Sequence, residues 1–152
     1  MGYDISFTSS KAPKEFKKEE FEEYCASIGY QIAVHPKSDF FNSSGFFPLK
    51  VSGNIIFIHP DSEFLTGFEL YSSFEDEFHF FCNCYDELEI TVALILSSYF
   101  LTLVGGEVSD PQIGDDYSNH EDVLEAIKMA QNRLNAVVQS GRINLHPFEG
   151  WR

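Results

Sequence analysis

Apolar residues recur at two spacings along this chain, every second position in some segments and every third or fourth in others. Alternation is typical of a strand with one buried face, and the longer spacing is typical of a helix with one apolar face. Alternation, or a short apolar run that ends at a turn, predicts strands at 3–8, 30–34, 46–51, 55–59, 67–74 and 77–84. The acidic residues between the last two segments predict a tight hairpin turn.

The longer spacing predicts three helices, at about 14–28, 86–104 and 118–141. The second helix opens with a capping-box spacing in which Asp86 stands three residues before Glu89, and the third opens in the same way with Ser118 and Glu121. The apolar run within the second helix is 15 residues long, from Ile90 to Val104. A bilayer needs roughly 20 mostly apolar residues, so we expect this helix to be buried within the protein.

Several predicted strands follow one another directly, and this order favours an antiparallel sheet. We therefore expect a single α+β domain over residues 1–152, with a sheet of about five strands and three helices packed on one face. One of these helices is expected to be long and largely buried.

Composition indicates a folded chain and excludes general nucleic-acid binding. Hydrophobic residues make up 43% of the sequence and include 16 Phe, enough for a substantial core. The net charge of −14 is unsuited to phosphate groups, which require neutralising Lys and Arg. Three cysteines are too few for a disulfide framework, and no basic segment followed by an apolar run opens the chain. We therefore expect a cytoplasmic protein with reduced thiols and no membrane partner.

The acidic residues are unevenly distributed. Residues 51–127 contain sixteen Asp or Glu and no Lys or Arg. Part of this charge belongs to helix starts, but two groups fall at predicted turns and are expected to be exposed: Glu75, Asp76 and Glu77 at the hairpin, and Glu107, Asp110, Asp115 and Asp116 in a loop. Such surfaces favour a basic partner.

Candidate metal sites have alternative explanations. His79, Cys82 and Cys84 suggest zinc, but alternation places the two cysteines on one face of a strand with Phe neighbours and His79 on the other. The acidic loop offers oxygen ligands for calcium, yet it lacks the EF-hand pattern. We expect buried cysteines in the first case, and a solvated loop or a partner-facing surface in the second.

Candidate catalytic groups are sparse. His35 and His59 each stand before Pro at a predicted strand end, where they either line a site together or face water separately. The sequence has no nucleophile elbow, phosphate-binding loop or dinucleotide fingerprint, so no cofactor is expected.

The segment from Leu103 to Gln112 resembles a segment found in small bacterial immunity proteins of polymorphic toxin and contact-dependent inhibition systems. In it, an apolar helix ends in Gly105-Gly106, a short extended piece follows, and Asp110-Pro111-Gln112 comes next, with Gly114 and Tyr117 extending the similarity. The resemblance implies a small, acidic, cytoplasmic protein without catalytic activity that binds and blocks a cognate toxin domain. It assigns no contact residues, because these vary between pairs.

Two hypotheses follow. The first is a non-catalytic immunity protein that neutralises a basic toxin domain, for example a nuclease, through an acidic surface. Its expected contact residues are Glu75, Asp76, Glu77, Asp110, Asp115 and Asp116, with Tyr71, Tyr117 and Phe74 as aromatic anchors. The second is a small-molecule-binding or enzymatic domain with a site at His35 and His59. A homo-oligomer is a third possibility, because exposed sheet edges can pair between copies of a chain.

Overall fold

An antiparallel sheet packed against three α-helices forms the protein in a computed structural model, which describes residues 3–38, 45–74, 77–110 and 115–151. The helices are α1 (Lys18–Ser27), α2 (Glu87–Val104) and α3 (His120–Gln139). The strands are β1 (Tyr3–Ser9), β2 (Ile32–Val34), β3 (Gly45–Ser52), β4 (Glu63–Phe74), β5 (Phe78–Cys84), β6 (Glu107–Asp110), β7 (Asp115–Tyr117) and β8 (His146–Pro147). The predicted α+β class with one long buried helix is confirmed.

The described part of the sheet has eight strands rather than about five. Their order is β2-β3-β4-β5-β1-β6-β7, and β8 pairs with β4 outside this path. The additional strands β6, β7 and β8 are four, three and two residues long. Segments this short carry too few residues to show an alternating pattern.

The predicted strand at 55–59 is wrong. Gly53–Ile56 forms a short 3₁₀ helix, and Phe57 follows it in the left-handed backbone region with φ of 48°. Ile55 and Ile56 are buried, and the Ile55 carbonyl accepts a hydrogen bond from Gln131 of α3 at 3.1 Å. A short apolar run predicts burial, and here a helical turn achieves that burial instead of a strand.

One face of the sheet is buried beneath the helices. Alternate residues of the central strands, such as Ile5 and Phe7 on β1 and Phe80 and Cys82 on β5, are completely inaccessible to solvent. α2 contacts β1, β4, β5 and β6, and α3 packs against α2. By length and composition α2 would be able to cross a membrane, but most of its residues are buried inside the protein. α2 is apolar around most of its circumference because the sheet and α3 cover it on several sides.

The N-terminus of α2 is capped as predicted. The Asp86 carboxylate accepts a hydrogen bond from the Glu89 amide at 2.8 Å, and the Glu89 carboxylate accepts one from the Tyr85 amide at 3.2 Å. Burial, and then the nearby Asp86 charge, raises the pKa of Glu89 to about 8. α3 is capped one residue later than predicted, by Asn119 instead of Ser118.

A chain of hydrogen bonds joins the three helices. The Ser98 hydroxyl of α2 donates to the Ile95 carbonyl at 2.6 Å, so its oxygen accepts from the Tyr24 phenol of α1 at 2.7 Å. The phenol oxygen in turn accepts from Nε2 of His120 on α3, at 2.8 Å. Each hydroxyl thus donates once and accepts once. Burial raises the pKa of Tyr24 to about 12 and keeps this phenol protonated.

Gly105 and Gly106 turn the chain from α2 into β6. Both have positive φ, 70° and 127°. A Cβ on Gly106 would lie 2.1 Å from the carbonyl oxygen of Thr8 on β1, whereas a Cβ on Gly105 would meet nothing within 4 Å. Gly106 therefore permits the close approach that pairs β6 with β1.

The C-terminal segment covers part of the other face of the sheet. β8 pairs with β4 at Phe64 and Leu65, and the ring of Trp151 lies 4.9 Å from the ring of His35 beside β2. Between them, the Phe148 ring lies below the Lys50 ammonium at 5.1 Å. The segment therefore crosses from β4 towards β2, and among the described residues it leaves the outer side of β5, β1, β6 and β7 uncovered.

Candidate partner-binding face

The sheet surface opposite the helices, on the β4 to β7 side, carries the candidate site. The strand register places Tyr71 beside Phe81, Phe81 beside Ser6, Ser6 beside Ser109, and Ser109 beside Asp116. This row crosses five strands, a distance of about 19 Å at the usual strand spacing. We call this surface the open face; its charged and aromatic side chains are Asp4, Glu69, Tyr71, His79, Phe81, Glu107 and Asp116.

The open face is acidic. Asp4 on β1, Glu69 on β4, Glu107 on β6 and Asp116 on β7 are all exposed to solvent. No Lys or Arg occurs in β1 or anywhere in residues 51–127, so no basic side chain of these strands neutralises the four carboxylates. The electrostatic potential above this face is therefore negative.

Aromatic rings lie among these carboxylates. Tyr71 is 48% exposed, Phe81 is 37% exposed, and Tyr85, just after β5, is 62% exposed. The rings of His79 and Phe81 are nearly parallel, with centroids 6.2 Å apart. An exposed ring beside charged groups is typical of positions that contribute strongly to protein binding.

Tyr71 is held by a neighbour on its own strand. Its phenol donates a hydrogen bond to the Glu69 carboxylate at 3.0 Å. This bond and the charge of Glu69 raise the pKa of Tyr71, so the phenol stays protonated and remains a hydrogen-bond donor. The bond also fixes the orientation of the ring on the open face.

The structure places two of the predicted contact residues on one face of the sheet, at opposite ends of the row, and places others elsewhere. Tyr71 and Asp116 lie in one row of the open face. Tyr117 points to the helix side, where it is half-buried against the core. The expectation that Asp110 is exposed is wrong, because this residue has no accessible surface. Asp110 follows Val108 at the strand spacing, and both therefore face the helices.

The remaining predicted residues lie in sequence at the end of β4, at the start of β7, or between β4 and β5. Glu77 is exposed just before β5. Glu75 and Asp76 lie outside the described residues, as do the side chains of Phe74 and Asp115. The contact role of all these residues stays a prediction.

Sequence reasoning missed several members of the open face, namely Asp4, Glu69 and Phe81, whereas Glu107 is exposed as expected. Alternation within a strand signals that Asp4 faces away from Ile5 and that Phe81 faces away from Cys82. The missing information was the register between strands, which aligns these side chains across the sheet. Register depends on contacts between distant segments.

The cysteines are buried in the core, as the strand alternation predicts. Cys82 and Cys84 have no accessible surface, nor has Cys25 on α1. Burial raises the pKa of each thiol, which disfavours the reactive thiolate. Within residues 3–38, 45–74, 77–110 and 115–151, no group of three or more His, Cys, Asp or Glu side chains is close enough to hold a metal ion.

His35 and His59 do not form a common site. The His35 amide donates a hydrogen bond to the carbonyl of Pro48 in the middle of β3, whereas His59 follows the 3₁₀ helix beyond the C-terminal end of that strand. His59 is highly exposed, and its Nδ1 accepts a hydrogen bond from the Asp61 amide at 3.2 Å. Each histidine therefore terminates its own segment.

Comparison of the chain with protein-family models, with curated proteins and with solved structures finds no match.

Proposed function

We propose that this protein is a non-catalytic, acidic immunity-type protein that binds and blocks a basic bacterial toxin domain through the open face. The observation that carries the proposal is the combination of exposed acids and exposed rings on a sheet surface whose strands contain no Lys or Arg. A toxin that acts on nucleic acid has a basic surface, because its substrate is a polyanion. Such a surface is complementary to the open face.

The charges support rapid and selective association. Asp4, Glu69, Glu107 and Asp116 project from four different strands, so their field extends across the whole face. Complementary fields increase the rate of encounter and disfavour acidic partners. An inhibitor that must occupy its toxin before the toxin meets a substrate benefits from this rate.

The aromatic rings support affinity. Tyr71 and Phe81 are neighbours in the register, and both lie between the carboxylates. Aromatic side chains bury a large area with few rotatable bonds when a partner covers them. Both rings project from hydrogen-bonded strands, so little backbone freedom is lost on binding.

The experiment uses the toxin domain encoded beside the gene for this chain, in a catalytically inactive form. Binding is measured by calorimetry at about 0.1 M and 1 M NaCl, where the Debye length is about 10 Å and 3 Å. We expect affinity to fall at least about tenfold at the higher salt, because much of the attraction is electrostatic. Affinity that is unchanged by salt would contradict the electrostatic basis of the proposal.

Variants then locate the interface. Glu69→Gln with Asp116→Asn is expected to slow association, and Tyr71→Ala with Phe81→Ala is expected to speed dissociation. Glu23→Gln, an exposed substitution on α1, is the control and should leave both rates unchanged. If the helix variant weakens binding and the open-face variants do not, the toxin binds elsewhere. A metabolic operon around the gene, with no toxin domain nearby, would overturn the immunity function itself.

A further inference from the structure

A cavity of about 310 Å³ lies between the C-terminal segment and the outer side of β3 and β4. It adjoins the open face, since Phe46 in its lining pairs in register with Glu69, but it occupies the half of the sheet that the C-terminal segment crosses. Its volume is within the range of small-molecule sites. Its lining includes His35, Phe46, Pro48, Leu65, Glu149 and Trp151.

The walls of the cavity are aromatic. The Trp151 ring packs at a steep angle against two neighbours, with its centroid 4.9 Å from that of His35 and 4.9 Å from that of Phe148. Phe46 forms another wall and is 62% exposed. Its ring lies directly over Gly67, where an added Cβ would come within 2.5 Å of the ring. Gly67 thus allows Phe46 to lie flat against the sheet beside the cavity.

The same C-terminal segment already holds a cation next to this cavity. The Lys50 ammonium lies 5.1 Å from the centre of the Phe148 ring and 3.0 Å from the Glu63 carboxylate. An aromatic face combined with a carboxylate therefore binds an ammonium group within this chain. Both contributions are favourable for cations, because the face of a ring is electronegative.

The cavity repeats this combination. Trp151, the strongest cation-binding ring type, lies in its wall, and Glu149 supplies a carboxylate. Among the described residues, no Lys or Arg forms an ion pair with Glu149. The net charge of −14 attracts cations to the whole molecule and repels anions.

We propose that this cavity is a binding site for a small organic cation of the alkylammonium class, held by the rings of Trp151 and Phe46 and by the carboxylate of Glu149. The apolar floor formed by Pro48 and Leu65 suits the alkyl groups of such a cation, whereas a hydrated metal ion would find no second carboxylate in the lining. The proposal does not rest on toxin binding and is tested without a toxin.

Trp151 is the sole tryptophan of the chain, so its fluorescence reports on the cavity directly. The full-length protein is titrated with choline chloride, with sodium chloride at matched ionic strength, and with 3,3-dimethylbutan-1-ol, the neutral analogue of choline. We expect a saturable change with choline, binding at least about tenfold weaker with the neutral analogue, and no saturable change with sodium chloride. Equal binding of choline and its neutral analogue would overturn the proposal, as would the absence of saturation with choline.

A variant pair tests the carboxylate. Glu149→Gln should weaken choline binding several-fold and leave binding of the neutral analogue unchanged, while Glu23→Gln, with the same change in charge on α1, should leave both unchanged. Calorimetry with Trp151→Leu should show loss of choline binding, and circular dichroism establishes that each variant is folded. If the two glutamine variants weaken choline binding equally, the attraction comes from net charge, and the site as proposed is wrong.

Discussion

Tyr71 donates its phenolic hydrogen to the Glu69 carboxylate, two residues earlier on the same strand and on the same face of the sheet. The hydrogen bond and the negative charge both favour the protonated phenol and raise the pKa of Tyr71. Glu69→Gln removes the charge, so we expect the pKa of Tyr71 to fall towards its ordinary value of 10. NMR titration of the ring carbon bonded to the phenol oxygen measures this shift. Glu107→Gln, on β6 of the same face, should leave the Tyr71 titration unchanged.

Glu89 makes stability depend on pH. Its pKa is raised from 4.5 to about 8 in the folded state, so folding favours the protonated carboxyl. The stabilisation is complete below pH 4.5 and is lost as the pH rises through 8, because the folded state holds a proton that the unfolded state releases. The carboxyl is about half exposed, and after allowance for solvent screening the effect is about 1–2 kcal/mol.

Glu89→Gln removes this dependence. Urea unfolding at pH 4.5 and above pH 8 should show that the variant gains stability relative to the wild type at the higher pH. The free energy of unfolding of the variant should therefore change less with pH. The amide oxygen can still accept from the Tyr85 amide, so the helix cap is retained. Glu23→Gln should keep the wild-type dependence of the free energy of unfolding on pH. If Glu89→Gln shows the same dependence as the wild type, Glu89 does not titrate in this range.

The two adjacent glycines after α2 offer a matched comparison. Both have positive φ, so alanine at either position is strained by about 1 kcal/mol. At Gly106 the added Cβ would also collide with the Thr8 carbonyl, and β6 would have to move away from β1. We expect Gly106→Ala to lower the free energy of unfolding by about 3 kcal/mol or more, and Gly105→Ala by about 1 kcal/mol. If urea unfolding shows that both variants lose the same free energy of unfolding, β6 can move away from β1 at little cost.

The Tyr24 phenol joins the helices through its bonds to Ser98 and His120. Tyr24→Phe keeps the ring but removes both bonds and leaves the buried Ser98 oxygen without its donor. The expected loss is about 1–3 kcal/mol in the free energy of unfolding, measured in urea. Tyr3→Phe, at an exposed position, is the control and should change stability little. NMR of the imidazole nitrogens should also show a hydrogen on Nε2 of His120, the nitrogen that lies 2.8 Å from the phenol oxygen.

Local rules predicted the longer elements well. Alternation located β1, β3 and β5, and capping chemistry located the start of α2, because these signals reside in consecutive residues. α1 begins at Lys18 and not at about Lys14, where the apolar spacing predicts its start. The chain forms tight turns at Lys14 and Phe16 before the helix begins at Lys18, although the sequence allows helical spacing there.

The pairing of strands that are distant along the chain could not be predicted from the sequence. Asp110 lies in a polar segment and was expected to be exposed, yet pairing of β6 with β1 turns its side chain towards the helices. The cavity at Trp151 depends on β8 returning to β4, and a two-residue strand has no periodicity to reveal it. The acidic composition was visible from the start, whereas its alignment into one face required the register of five strands.

The position of β1 has a consequence for synthesis. β1 precedes the other described strands along the chain and is synthesised before them, yet it lies inside the sheet with β5 and β6 as its neighbours. Tyr3 pairs with Cys84 of β5, so β1 remains unpaired while some 80 residues are added to the chain. At ordinary elongation rates this takes about 4–16 s. During that interval Ile5 and Phe7 are without the partners that bury them. Among the described strands, β1 is therefore the one most exposed to misassociation during synthesis, before the strand that covers its edge has been made.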